Sequence, residues 1–413
     1  MPHRVSPLGL TLSLLFIAAA TLIPADGLTP SVGSLCLGCG EVGLPDLVLN
    51  ILLFAPLGLF LGRAGIRPLV VLGIGLLLSA NIEAAQFFIP GRAPTLRDVL
   101  TNALGCGIGG LVAVQLRAWI APGRRAVVLL WGAVGGALLA VWLTGTLLRF
   151  DPPEGIYYGQ WVPDQRHLEH WAGTLQEASL GSLAVPNGPS DASDALRSSL
   201  ETSAHVRVRG TGGPPTRRLG AIFAITTDAQ REAILIGPHG YDLVVRVRRR
   251  AATWRLDAPE FRFRYALLPV GLGTPLAIEF RGTPQGGCAT VNGVRHCVGR
   301  SAAGSTWMLA RPYDAAPWWM QRLLDAITLF VLAFPAGLLL RGAPRNQAVA
   351  AGATLLIGLP ATAWSSGLAF PSVWDWAGVL TAVGVGVWLH ARLLPSSVAN
   401  SVPPRPPGTP TLR

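Results

Sequence analysis

Stretches long and apolar enough to cross a bilayer occur in two blocks along this chain, and a long polar stretch separates them. A membrane-spanning helix needs about 20 mostly apolar residues. The first block holds five such runs, at 8–23, 47–61, 69–89, 99–120 and 126–148; the second holds three, at 323–340, 348–364 and 376–389. The run at 126–148 contains no charged residue. Composition agrees, because only 13% of the 413 residues are charged, against about 25% in an ordinary soluble domain. The pattern predicts a polytopic α-helical membrane protein of about eight helices, divided 5 + 3.

The placement of arginine orients those helices. All 33 basic residues are arginine, and short cytoplasmic loops collect basic residues where exported ones do not. With the N-terminus inside, Arg4, Arg63, Arg67, Arg117, Arg124, Arg125, Arg341, Arg345, Arg392, Arg405 and Arg413 are cytoplasmic. Only Arg92, Arg97, Arg149 and Arg322 fall on the exported side of the helical blocks. Both termini are therefore expected in the cytoplasm, with the central stretch exported. A second reading makes 8–20 a cleaved signal peptide, since Ala18-Ala19-Ala20 resembles a small-residue cleavage site; the next loop is exported either way. The net charge of +11 then reports topology, and nucleic acid is not an expected partner. The expected divisions are helices over 1–149, an exported domain over 150–316, a second helical block over 317–394, and a tail over 395–413. Five prolines between Pro403 and Pro410 predict a disordered cytoplasmic tail.

The exported stretch reads as all-β. Short β-rich runs at 221–225, 233–236, 243–248, 261–265 and 276–280 are separated by turn formers such as Gly237-Pro238-His239-Gly240, which predicts a sandwich or barrel. Asn292-Gly293 is the signature of a two-residue type I′ hairpin turn. Folding about it sets Cys288 opposite Cys297 on a non-hydrogen-bonded pair, where the backbones approach closely enough for a disulfide. Cys36-Leu37-Gly38-Cys39, in the first exported loop, is a second candidate disulfide, with a redox-active or metal-binding pair as the alternative. The cluster Arg246, Arg248, Arg249, Arg250 reads as a solvated strand edge or as a contact for an anionic polymer.

Polar residues inside the first block need a reason, because charge in a membrane helix costs about 2.5–3.5 kcal/mol on insertion scales. Asn50 lies one turn after Asp46, and Glu83 and Gln86 share a face near the outer end of the third helix. Asp98, Asn102, Gly105 and Gly109 form one stripe on the fourth. With Arg92 in the connection, Asn50, Glu83, Gln86, Asp98 and Asn102 all fall in the outward half. They form either a polar pocket open to the exported side or a structural network that satisfies itself.

These strings, Asp46-Leu-Val-Leu-Asn50 through Pro56-Leu-Gly58, Glu83-Ala-Ala-Gln86, Pro90-Gly91-Arg92 and Asp98-Val-Leu-Thr-Asn102-Ala-Leu-Gly105, resemble the VanZ-like family of bacterial membrane proteins over about 10–148. The resemblance implies a cell-envelope protein of the cytoplasmic membrane, associated with resistance to the glycopeptide teicoplanin. It also makes Asn50, Glu83, Gln86, Arg92, Asp98 and Asn102 the signature polar positions. The exported stretch resembles, less specifically, the concanavalin A-like (laminin G-like) sandwich of some longer members.

An internal repeat stands apart from any resemblance. Asp46, Pro56 and Gly58 share their spacing with Asp325, Pro335 and Gly337, and Asp98, Gly107 and Gly109 share theirs with Asp375, Gly384 and Gly386. Either the last three helices are a degenerate copy of helices two to four, lacking the amides because Leu329 and Val379 replace Asn50 and Asn102, or two glycine-rich blocks agree by chance. Three functions compete: a non-catalytic protein binding a lipid-linked cell-wall precursor or an amphiphilic antibiotic, an enzyme using Glu83 or Asp98 as acid or base, and a carbohydrate binder acting through the sandwich on cell-wall glycan. No HExxH, GxSxG or Walker sequence occurs, so no metal or cofactor is expected.

Overall fold

The structure, a computed structural model, describes residues 7–24, 43–90, 92, 94–164, 168–299 and 302–394. Its helices begin with α1 (Pro7–Leu22), α2 (Leu44–Arg63), α3 (Pro68–Gln86), α4 (Leu96–Ile120) and α5 (Arg124–Leu147). Proline in the first turn of α2 and α3 starts each where its missing N–H costs nothing. Among the described residues, seven helices are long and apolar enough to cross a membrane, and α1 is a shorter apolar helix. Their outer faces carry exposed Leu69, Leu77, Val331 and Ile357, as lipid contact requires.

Glycine sets the spacing of α2 and α4. A Cβ on Gly58, Gly105 or Gly109 would run into the backbone carbonyl of Cys106, Ile51 or Ala55, respectively. The two backbones are therefore in direct contact along the expected stripe. Cys106 is free and buried in this seam.

After α5 the chain forms β1 (Tyr157–Trp161), β2 (Thr174–Leu180), β3 (Leu183–Ala184), β4 (Gly188–Pro189), α6 (Ser193–Thr202), β5 (Ala204–Thr211), β6 (Phe223–Thr227), β7 (Glu232–His239), β8 (Asp242–Val247), β9 (Phe261–Phe263), β10 (Pro275–Thr283), β11 (Gly286–Val291) and β12 (Val294–Val298). Two six-stranded antiparallel sheets result, ordered β4-β1-β6-β7-β8-β9 and β12-β11-β10-β5-β2-β3. One core joins them, with Ile225, Ile236 and Val245 of the first sheet against Val206, Ile278 and Val291 of the second. Phe280 touches Phe261 and Phe263 across it. In β5 and β10 burial alternates, so one face is wet. β6 is buried on both faces because Leu219 and Ala221 cover Ala224, Leu235 and Val244 from outside.

The hairpin β11–β12 has the expected register, with Val291 opposite Val294 and Cys288 opposite Cys297. Both turn residues have positive φ, 47° at Asn292 and 87° at Gly293, as a type I′ turn requires. The cysteines are disulfide-bonded with Cα atoms 4.1 Å apart. Cys36 and Cys39 lie outside the described residues.

The chain closes with α7 (Trp318–Leu339), α8 (Arg345–Ser366) and α9 (Val373–Leu393). Here α7 and α9 repeat the α2–α4 contact: a Cβ on Gly337 would meet the backbone of Val383, and one on Gly386 the amide nitrogen of Leu338. Gly58 and Gly109 meet the equivalent positions, Cys106 and Leu59. The middle helix of each triplet differs, since α3 packs on α4 whereas α8 packs on α5. Trp131 of α5 donates Nε1–H to Gln347 Oε1 of α8 at 3.0 Å, and Leu130, Val134 and Val141 share a core with Leu329, Leu355 and Val379. By packing, α1–α4 form one group of four helices, α5 and α7–α9 another, and the sandwich is inserted after the first helix of the second group.

Candidate functional site

The expected polar residues gather at the end of α2–α4 where the chain enters α4. Thr95 caps α4, its hydroxyl accepting from the Asp98 amide at 3.1 Å. At α9, Ser372 and Asp375 stand in the same relation and complete a capping box: the Asp375 carboxylate accepts from the Ser372 amide at 2.6 Å. In the first block that bond is exchanged. The Thr95 amide donates instead to Glu83 Oε2 at 2.8 Å, and Asp98 Oδ1 accepts from Asn50 Nδ2 at 2.8 Å. A residue from α3 has taken over the cap of α4, leaving Asp98 for α2.

One turn deeper, Asn102 donates Nδ2–H to Ser79 Oγ at 2.9 Å. Its Oδ1 is buried without a hydrogen-bond partner among the described residues. Glu83 is only 4% exposed, and the charges that act on it are those of Asp98 and Arg92. No salt bridge to Glu83 occurs among the described residues. Its carboxylate is held by a backbone amide, an arrangement that leaves net negative charge or a proton in the site.

The remaining two expected residues do a different job. Gln86 Nε2 donates to the Thr21 carbonyl at 3.0 Å, and Arg92 donates to the carbonyls of Ala20 and Ile23 at 2.9 Å each. Both cap the C-terminal end of α1, where carbonyls lack intrahelical donors and a cation suits the dipole. Asn50, Glu83, Asp98 and Asn102 thus form one group, and Gln86 and Arg92 tie it to α1. Ser79 and Thr95 belong to the group and carry sequence signals of their own: Ser79 lies one turn before Glu83, and Thr95-x-x-Asp98 is an N-cap pattern.

It is over this helical segment that a family model matches. Residues 7–117 match the VanZ/LLP1 family model. The VanZ-like part therefore begins with α1, holds the whole polar group and ends within α4, leaving α5 outside. No curated protein and no solved structure matches the chain. The chain is a multi-pass membrane protein with a VanZ-like segment, in contact with the lipid bilayer through its helices.

In the sandwich, the aromatic residues nearest its start are buried or, at Tyr158 and Trp161, half-buried. Tyr157 and Trp171 are buried, and Trp161 donates its indole N–H to the Val185 carbonyl at 3.2 Å. The arginine cluster also differs from a solvated edge. β8 lies between β7 and β9, Arg246 pairs with Glu260, and Arg249 is buried at the seam with the helices, donating to the Leu148 carbonyl at 2.7 Å.

Proposed function

We propose that this protein acts in the cell envelope by binding an amphiphile, a lipid-linked cell-wall precursor or a glycopeptide-type antibiotic, at the polar group of Asn50, Glu83, Asp98 and Asn102, and so contributes to glycopeptide resistance of the teicoplanin type. In this reading the protein lies in a bacterial cytoplasmic membrane with both termini inside. The sandwich, of concanavalin A-like (laminin G-like) type, is outside, and the polar group faces the outer leaflet. The carrying observation is the exchanged cap. A self-sufficient Ser372–Asp375 box would have served α4 as it serves α9. The VanZ-like segment instead places a buried carboxylate from α3 at that cap and leaves Asn102 Oδ1 open. Two carboxylates, two amides and the hydroxyls of Ser79 and Thr95 suit a hydroxyl- and amide-rich headgroup.

Glu83→Gln and Asn102→Ala are expected to abolish glycopeptide resistance conferred by the wild-type protein while membrane insertion persists. Wild-type resistance in both variants, at equal membrane abundance, would refute this role. Altered composition of the lipid-linked precursors on expression, seen by mass spectrometry and lost in Glu83→Gln, would instead favour an enzyme with Glu83 as acid or base.

A further inference from the structure

A cavity of about 480 Å³ lies where the sandwich meets the second helical group, lined by Arg249, Arg262 and Arg264 from the one and Gln321, Arg322 and Asp325 from the other. It is separate from the VanZ-like polar group. Trp318 and Trp319, 70% and 54% exposed at the start of α7, mark the level of the membrane interface, where tryptophan concentrates. Arg322 follows one turn later, so the cavity lies at headgroup depth.

Of the four arginines in its wall, Arg262 is paired with Asp242 at 3.1 Å, which leaves Arg249, Arg264 and Arg322 beside Asp314 and Asp325. Among the acids of the wall, Glu260 is engaged by Arg246, and Asp325 Oδ1 accepts the Tyr313 hydroxyl at 2.6 Å. Burial and the neighbouring Glu260 push the Asp314 carboxyl up from its ordinary range. Arg322 reaches Asp325 only at 3.6 Å and is 36% exposed. Arg264 donates to a neutral acceptor, the Ala315 carbonyl.

Arg249 is the most telling group. It is 2% exposed, and the acceptors of its NH1 are the carbonyls of Leu148 and Pro284, at 2.7 and 2.9 Å. The rings of Phe150 and Phe261 lie 5.4 and 5.1 Å from its guanidinium carbon. No carboxylate pairs with it among the described residues, and its Nε is buried without a partner. Burial pulls it down to about 10, so it remains a cation at neutral pH. Asp314 in the cavity wall is the carboxylate whose charge acts on it, without pairing to it; a desolvated, unpaired cation is costly, and an anion in the adjoining cavity would supply a partner.

We propose that this cavity is a second ligand site, which takes a phosphate headgroup at the membrane surface with Arg322 and Arg264 as its direct ligands and Arg249 as the buried charge behind them. Guanidinium forks match phosphate oxygens in pairs, and at this depth phospholipid phosphate is the abundant anion.

The test uses the full-length protein in detergent and native mass spectrometry, with dioleoylphosphatidylglycerol, dioleoylglycerol and inorganic phosphate as probes. The wild type is expected to retain one phosphatidylglycerol and no dioleoylglycerol. The double variant Arg264→Gln/Arg322→Gln should bind it at least tenfold more weakly, and Arg322→Lys should retain intermediate affinity. Glu83→Gln should leave this retention unchanged. Binding of inorganic phosphate, lost in the double variant, without lipid retention would support the anion site and assign it to a soluble phosphate. Equal phosphatidylglycerol retention by wild type and double variant, retention of dioleoylglycerol as well, or loss in Glu83→Gln would overturn the proposal. Preserved helical circular dichroism and an intact Cys288–Cys297 bond in each variant exclude misfolding as the cause.

Discussion

The acid Glu83 shows how a single residue's role depends on what lies across from it. Its face with Ser79 and Gln86 follows from helical spacing, but the Thr95 amide as its partner lies across a turn and on another helix. Glycine offers the plainest test at this scale. Gly109→Ala should force α2 and α4 apart, because the added methyl meets the Ala55 carbonyl; overpacking of this kind costs about 1–3 kcal/mol. Gly132→Ala in α5 meets nothing within 4 Å and should be silent. Thermal melting in detergent compares them, and equal midpoints would show that the close contact does not stabilise the helices. On the sandwich surface, hydrogen bonds from Arg281 and His205 hold the Glu279 carboxyl at about 2, below its ordinary 4.5. A depressed folded-state value means stability that is present above about pH 4.5 and is lost as pH falls towards 2. The wild type should therefore lose more melting temperature than Glu279→Gln between pH 5 and pH 3, and parallel losses would contradict this.

Secondary-structure elements divide into those that sequence periodicity defines and those that packing completes. The β11–β12 hairpin belongs to the first kind, since Asn292-Gly293 and a two-residue loop fix every pair up to Cys288–Cys297. A disulfide closing a loop with a sequence separation of 9 is worth about 2–3 kcal/mol by the chain-entropy estimate. Because β12 is a sheet edge, Cys288→Ser/Cys297→Ser should raise hydrogen exchange in β11 and β12 before β6 or β7. A uniform rise across both sheets would mean that the bridge supports the whole sandwich. The capping sites of α4 and α9 belong to the second kind. Thr95-x-x-Asp98 and Ser372-x-x-Asp375 read alike, yet only the latter closes as a reciprocal box, because Glu83 on α3 competes for the former.

For the whole molecule, the central question is which helices belong together. Chain order groups five before the sandwich and three after it, whereas packing assigns α5 to α7–α9. The α4–α5 connection also bonds to the second group, Gly123 donating to the Gly342 carbonyl at 3.2 Å. The segment after the sandwich is part of this group too: Thr144 of α5 bonds Thr306 at 2.9 Å, and Tyr313 bonds Asp325. Replacing 155–298 by a short linker while keeping 302–316 should therefore preserve helix packing, and with it glycopeptide resistance if the VanZ-like polar group is responsible. Loss of resistance with normal insertion and melting would shift the working part to the sandwich.

The sequence alone determined the membrane-spanning runs, the β character of the insertion and the register of its disulfide hairpin, because each depends on local periodicity or on turn geometry over a few residues. It also placed Asn50, Glu83, Asp98 and Asn102 towards the same end of their helices, since helix length converts position into height. The tertiary structure alone decided that Glu83 caps α4, that Gln86 and Arg92 bind α1, that α5 joins the second group, and that Arg249 is buried beside a cavity. Each of these depends on which helix or sheet faces meet, and residues far apart in the chain meet only where close packing brings their backbones together.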